Sequence, residues 1–411
     1  MSWLSQRERL RGQHCMTLHR AMRARAVDES SRTATPLELL FDLTFVAAVA
    51  QLASGLAHAT VDGHAASAVG PFLMVFFAIW WAWMNFTWFA SAYDCDDVAY
   101  RLAAFVQMGG VLVLAAGTGR AFEDGDYTAV TIGYLMMRIA LLGLWVRAAV
   151  EHPEGRGTSL RYAAGIGVLE VFWLARLALG DRAAIATFLV LVAGELLVPV
   201  WAERHGPTSW HPHHIAERYS LFTIILLGES IFAGTTAVVA VVEDTATIAL
   251  VAVSVSSLVV VAALWWLIFA VPANVGLEEH RHWSFIWGYG QYVPFAALAA
   301  LGAGLEVTVA AVAGEALRIG DRGAVAAVAV PVAVVLVMVE LLRAPDGTPR
   351  LRPATVPGLL GLAAAVAVTP EVGVVAGLCL VTATLVVTVV GDLSLPRERR
   401  VKSDGSVPLL G

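Results

Sequence analysis

The chain has little of what a soluble enzyme needs. Charged residues make up only 15% of its 411 positions, too few to cover a water-soluble protein of that length. Its three cysteines, Cys15, Cys95 and Cys379, are too few and too scattered for a disulfide framework, and none has metal-ligand spacing. There is no serine nucleophile elbow, phosphate-cradling glycine loop or paired-cysteine motif. No soluble nucleotide-binding domain is present, so ATP-driven transport would need a partner to supply one. The first 35 residues lack a sustained apolar stretch and carry Arg7, Arg9, Arg11, Arg20, Arg23, Arg25 and Arg32, which argues against a signal peptide. That tail reads either as a helix on an anionic membrane surface or as a disordered arm that helps set orientation. Short alternating segments are missing too, which excludes a β-barrel.

What the chain does have is apolar residues, 58% of the total. An α-helix needs about 20 of them in a row to cross a bilayer. Twelve such spans are expected, over 37–57, 69–90, 100–119, 127–148, 160–179, 183–201, 216–240, 246–271, 283–305, 324–343, 354–369 and 371–391. The least distinct are 283–305, which an amphipathic stretch follows, and the last two, separated only by Thr369-Pro370-Glu371. The expected fold class is an all-α polytopic membrane protein. With charges near span ends counted in the adjacent loops, Lys and Arg fall seven in the N-terminal tail, fourteen in the even-numbered loops and C-terminal tail, and five in the odd-numbered loops, with Arg138 deep inside a span. This positive-inside asymmetry predicts a multi-pass protein of the cell membrane with both termini cytoplasmic.

The chain also reads as written twice. Glu38-x5-Thr44 is answered by Glu217-x5-Thr223, and Trp80-Trp81 by Trp265-Trp266. Arg101-x3-Phe105-x4-Gly110 is answered by Arg281-x3-Phe285-x4-Gly290, and Leu160-Arg161-x5-Gly167 by Leu351-Arg352-x5-Gly358. The offsets are 179, 185, 180 and 191, in the same order along the chain. The expected organisation is a cytoplasmic tail over 1–35, a six-helix repeat over 36–201, a cytoplasmic loop over 202–215, a second six-helix repeat over 216–391, and a cytoplasmic tail over 392–411. An even number of spans per half makes the repeats parallel, which places a solute path between them.

Charges inside the spans are the candidate functional residues, because each costs roughly 2.5–3.5 kcal/mol to insert. Glu38 and Asp42 share one face of the first span; they read either as a carboxylate pair in a substrate or ion path or as caps on the helix N-terminus. Glu229 is thirteen residues into the seventh span, about 20 Å along it, with Ser230 beside it, and Gln51 lies at comparable depth in the first span. Arg138 cannot discharge, so it requires a carboxylate partner: Glu170 first, then Glu195. Glu340 reads as an interfacial charge. Trp80, Trp81 and Trp83 read as an interfacial belt or a cation-binding wall. The acidic loop Asp94, Asp96 and Asp97, and its counterpart Glu278-Glu279-His280-Arg281-His282, could salt-bridge across the halves or form a cation vestibule. His211, His213 and His214 form a weak metal candidate, with His214 and Glu217 three residues apart. No metal or other cofactor is expected.

Two segments, Thr35-Pro36-Leu37-Glu38-Leu39-Leu40-Phe41-Asp42-Leu43-Thr44-Phe45-Val46 and Ala216-Glu217-Arg218-Tyr219 through Leu227-Gly228-Glu229-Ser230-Ile231, resemble the most characteristic stretches of the bacterial low temperature requirement A (LtrA) family. The Asp96-Asp97-x3-Arg101 loop fits the same pattern, and the likeness covers about residues 35–390. It implies a multispan protein of the bacterial inner membrane. Its motif positions here are Glu38, Asp42, Asp96, Asp97, Arg101, Glu217, Arg218 and Glu229. The family name records a growth phenotype and implies no mechanism. A weaker likeness links Phe41-Asp42 to a family of potassium channels whose opening motif is Phe-Ser-Asp; the Ser is missing here, and the second half has no Asp at that place.

These readings predict a secondary transporter-like protein for a small solute or ion, with protons coupled through Glu229 and Asp42. The alternatives are a cation channel lined by the first and seventh spans, and a non-transporting membrane enzyme or scaffold. The expected partners are the lipid bilayer and the solute, with no nucleic acid. Small-residue faces such as Gly109-Gly110 and Gly117-x-Gly119 allow tight packing within one chain or in a homo-oligomer.

Overall fold

The computed structural model describes residues 18–25, 32–178, 184–240, 248–270, 284–315, 317–343 and 352–394. Among these residues there is no strand. In hydrocarbon every backbone N–H and C=O must be satisfied within its own segment, and long apolar runs achieve that as helices. The helices are α1 (Pro36–Val61), α2 (Ala65–Tyr93), α3 (Val98–Glu123), α4 (Thr128–Glu151), α5 (Arg156–Arg176), α6 (Ala184–Ala202), α7 (Pro212–Ala240), α8 (Ile248–Phe269), α9 (Ser284–Gly290), α10 (Tyr292–Val312), α11 (Gly320–Arg343), α12 (Thr355–Val372) and α13 (Val374–Ser394). Ten spans among the described residues, with α9 and α10 counted as one, are long and apolar enough to cross a membrane. The other two long helices are α5, of 21 residues, and α7, of 29. Each of the twelve predicted spans falls on a helix.

Two boundaries differ from expectation. The ninth span extends through α10 to Val312, so Glu306 lies inside a helix and not beyond its end. The last two spans part at Gly373, not at Pro370. Gly373 has φ 84°, in the left-handed region that glycine enters without strain, and its N–H closes on Thr369 O at 2.8 Å. Pro370 is tolerated inside α12 because the carbonyl it leaves behind, on Val366, accepts from Arg322 Nε at 3.4 Å.

The chain divides into two compact units. The first comprises residues 1–41, 82–114 and 131–211; the second comprises 42–81, 115–130 and 212–411. In the first unit α3 and α4 cross with their backbones touching. A Cβ on Gly133 would sit 2.5 Å from Gly110 O and 2.5 Å from Leu114 N, so the crossing requires glycine. Gly109, next to it, has nothing within 4 Å of a built Cβ. Trp145 stacks on Tyr162 at 4.1 Å, which joins α4 to α5. In the second unit α10 packs against α7 and α11, and the α12–α13 pair packs against α8 and α11.

The tryptophans correct one expectation. Trp80, Trp81 and Trp83 are at most 1% exposed, so they fill the interior and do not form an interfacial belt. Trp80 and Trp81 pack with Phe77 and Tyr292 or Tyr289. The matching pair Trp265-Trp266 is 47% and 45% exposed.

Candidate functional site

The first turn of α1 is a reciprocal capping box. Glu38 Oε2 accepts from the backbone N–H of Thr35 at 2.7 Å, Thr35 Oγ1 accepts from the N–H of Glu38 at 3.3 Å, and Pro36 occupies the first helical position. Arg32 extends this cap. Its guanidinium donates to Ser91 O and Ala90 O near the end of α2, and it stands 4.0 Å from both Glu38 and Asp94. The last carbonyls of α2 thus meet a cation at the negative end of the helix dipole.

The acidic loop is fully engaged within the first unit. Asp96 adopts φ 46° and holds Arg101 through two bonds of 2.8 and 2.9 Å. Asp97 caps α3 through the N–H of Tyr100 at 2.9 Å and receives both terminal nitrogens of Arg147, at 2.9 and 2.5 Å. Arg147 also binds Glu151 at 2.9 Å and the Arg20 carbonyl at 2.9 Å. The extended N-terminal segment 18–25 lies along this cluster: Arg20 N–H donates to Asp97, Met22 N–H to Glu151, and Met22 is fully buried. Neither a surface helix nor a disordered arm describes those residues. The paired carboxylates do not form an open cation vestibule. The counterpart loop at 278–282 lies outside the described residues.

Asp94 and Asp97 are driven in opposite directions. Burial, aided by the charge of Glu38, raises the Asp94 carboxyl from 3.8 to about 6, against the pull of Arg32 and Arg25. Burial also opposes the Asp97 charge, but Arg147 and the N–H groups of Arg20 and Tyr100 outweigh it and hold that carboxyl well below the usual range. Burial raises the Cys95 thiol to about 11, so it is inert at neutral pH. The folded-state value of Asp94 exceeds its ordinary one, so the folded state holds the proton longer and stability falls as pH rises from about 4 to about 6. Asp94→Asn abolishes that slope. Its melting temperature relative to the parent should climb between pH 4 and pH 8, equivalent to roughly 3 kcal/mol at most. A difference that stays constant across that range would contradict it.

Deeper in the first unit, Arg138 on α4 bridges two helices. Its Nε donates to Glu170 on α5 at 3.1 Å and its Nη2 to Glu195 on α6 at 2.6 Å. Glu195 also accepts from Tyr134 OH at 2.9 Å and from Trp173 Nε1 at 3.2 Å. All three charged residues are at most 4% exposed.

In the second unit Asp42 and Arg218 form a bidentate pair of 2.8 and 2.6 Å, both buried. Three turns further along α7, Glu229 is nine-tenths buried and has no hydrogen bond or ion pair among the described residues. The adjacent Ser230 hydroxyl is buried without a hydrogen-bond partner among the described residues. A Cβ on Gly302 of α10 would lie 3.3 Å from Glu229 Cγ, and the charge of Glu306, one turn further along α10, bears on Glu229. Glu306 in turn feels His58 of α1. Gln51 is exposed, Glu217 is half-buried, and His214 is buried while His213 is exposed. Among the described residues no three His, Cys, Asp or Glu side chains could hold a metal. Glu340 is 3.5 Å from Arg352, which binds Asp392 at 2.6 Å.

Several of these residues were not singled out from sequence. Glu306 sits one position past the predicted end of its span. Arg32, Arg147 and Asp392 lie near helix ends, where charge is unremarkable. Tyr134 and Trp173 look like ordinary apolar filling, and only the intramembrane carboxylate Glu195 hinted that donors must surround it.

Long apolar helices that enclose ion pairs define a multi-pass, all-α membrane protein. The family model for bacterial low temperature requirement A protein (LtrA) matches residues 33–391, and the chain belongs to that family. It is also similar to an uncharacterized protein of Rhizobium meliloti (strain 1021), 30% identical over 203 residues that cover 47% of this chain and 48% of that one. The chain spans about half the length of this curated relative.

Proposed function

We propose that the protein is a secondary transporter-like membrane protein that moves a small solute or ion, with Glu229 binding the coupling ion or proton. The observation that carries this reading is the isolation of Glu229. An intramembrane carboxylate is costly, and one tied to no cation or donor has no packing role to justify the cost. Ser230, Glu306 and His58 add polar groups along α7, α10 and α1, and Gly302 lets α10 approach closely. Asp42, held by Arg218, serves in this reading as an anchor and not as a carrier. The arginine asymmetry supports cytoplasmic termini in a bacterial cell membrane, and the ordered sequence matches support two parallel repeats.

The test is ion flux in liposomes, with H⁺, Na⁺ and K⁺ offered across a pH range to the parent and to Glu229→Gln. Flux in the variant should fall to the level of empty liposomes while its melting temperature shifts by no more than about 2 °C. Undiminished flux, or flux lost only in step with folded protein, would make Glu229 a structural residue.

A further inference from the structure

We infer that Glu170 is a second proton-binding site, carrying a proton at neutral pH beside the Arg138–Glu195 ion pair. The inference concerns the first unit and does not depend on Glu229. The cluster places one guanidinium against two carboxylates in a region where Arg138 is 1%, Glu170 4% and Glu195 0% exposed. Arginine is charged in any protein, so two ionised carboxylates would leave a buried net negative charge. One proton makes the cluster neutral.

The hydrogen bonds determine which carboxyl holds it. Glu195 accepts from three donors on both its oxygens: Tyr134 OH and Trp173 Nε1 on Oε1, and Arg138 Nη2 on Oε2. Both oxygens of Glu195 are thus already occupied by donors. Among the described residues Glu170 accepts only from Arg138 Nε, on Oε1. Its Oε2 is buried with no donor among the described residues, as Arg138 Nη1 is buried with no acceptor. An unsatisfied neutral hydroxyl is far less costly to bury than an unsatisfied charged oxygen. Among the described residues, the charged and titratable groups that bear on Glu170 are Arg138 and Tyr134 from α4 and Glu195 from α6. Arg176, one turn beyond, lies over Trp173 and Phe188 at 5.9 and 5.7 Å. Loss of the proton sets two negative charges against one positive, so Glu170 can empty only when α4, α5 and α6 shift or a cation enters.

Infrared absorption of the purified full chain in H₂O and D₂O at neutral pH tests the assignment. The carbonyl stretch of a protonated carboxylic acid should be present in the parent and weaker by one carboxyl in Glu170→Gln, whose amide replaces a neutral acid and leaves the melting temperature within about 2 °C. Glu170→Asp, which keeps a carboxyl, should displace that band without removing it, and serves if the amide variant does not fold. A band unchanged in both variants overturns the proposal. So does a parent spectrum without the band whose melting temperature rises on adding Na⁺ or K⁺, since a cation would then supply the missing charge.

Discussion

Arg138→Leu should leave no folded first unit in a thermal melt, at a cost of about 3–5 kcal/mol. That is the usual size of the penalty for removing one partner of a buried ion pair, and it is a large fraction of a marginal stability. The physical cause is the loss of the cation that joins Glu170 and Glu195, which leaves the Arg138–Glu195 ion pair without its positive partner. A second substitution separates this from lost packing. Arg138→Leu with Glu195→Gln removes the stranded charge and should recover much of the loss, whereas Arg138→Leu with Glu170→Gln should recover little. Equal recovery in the two double variants would mean that the carboxylates share the charge.

Asp42→Leu is expected to have an effect of similar size in the second unit. It removes the carboxylate that accepts two hydrogen bonds from Arg218, which is 0% exposed. A guanidinium cannot neutralise itself by giving up its proton, whereas a carboxylate can neutralise itself by taking one. The two halves of the pair are therefore unequal: Asp42→Leu should cost about 3–5 kcal/mol and Arg218→Leu distinctly less. Replacing both by leucine should be milder than Asp42→Leu alone, because no charge then remains buried. Melting temperatures of the three variants decide the order. Arg218→Leu as the most damaging of the three would overturn the argument.

The fold was legible because a bilayer leaves few choices: an apolar run of about 20 residues must be a helix, so every expected span falls on one. The capping box was legible as Thr35-Pro36-Leu37-Glu38, since its bonds are local. So was the need of Arg138 for an acidic partner, because nothing else solves a cation inside a span. What sequence could not supply was orientation about each helix axis. Trp80-Trp81 and Trp265-Trp266 are identical dipeptides, one pair buried and the other facing outward, and no periodicity distinguishes them. Glu229 and Gln51, equal in depth by residue count, differ for the same reason: one is enclosed and the other exposed.

Segment 18–25 has a consequence for the order in which the protein is made. Met22 bonds Glu151, 129 residues further along the chain, and Arg20 bonds Asp97, 77 residues further along. Those partners do not exist when the segment leaves the ribosome. It must wait at the membrane surface until four helices have been inserted, and only the last turns of α4 give Arg20 and Met22 somewhere to dock. Residues synthesised among the earliest thus find their places only after α4 is made, while α5 and α6 of the same unit still follow.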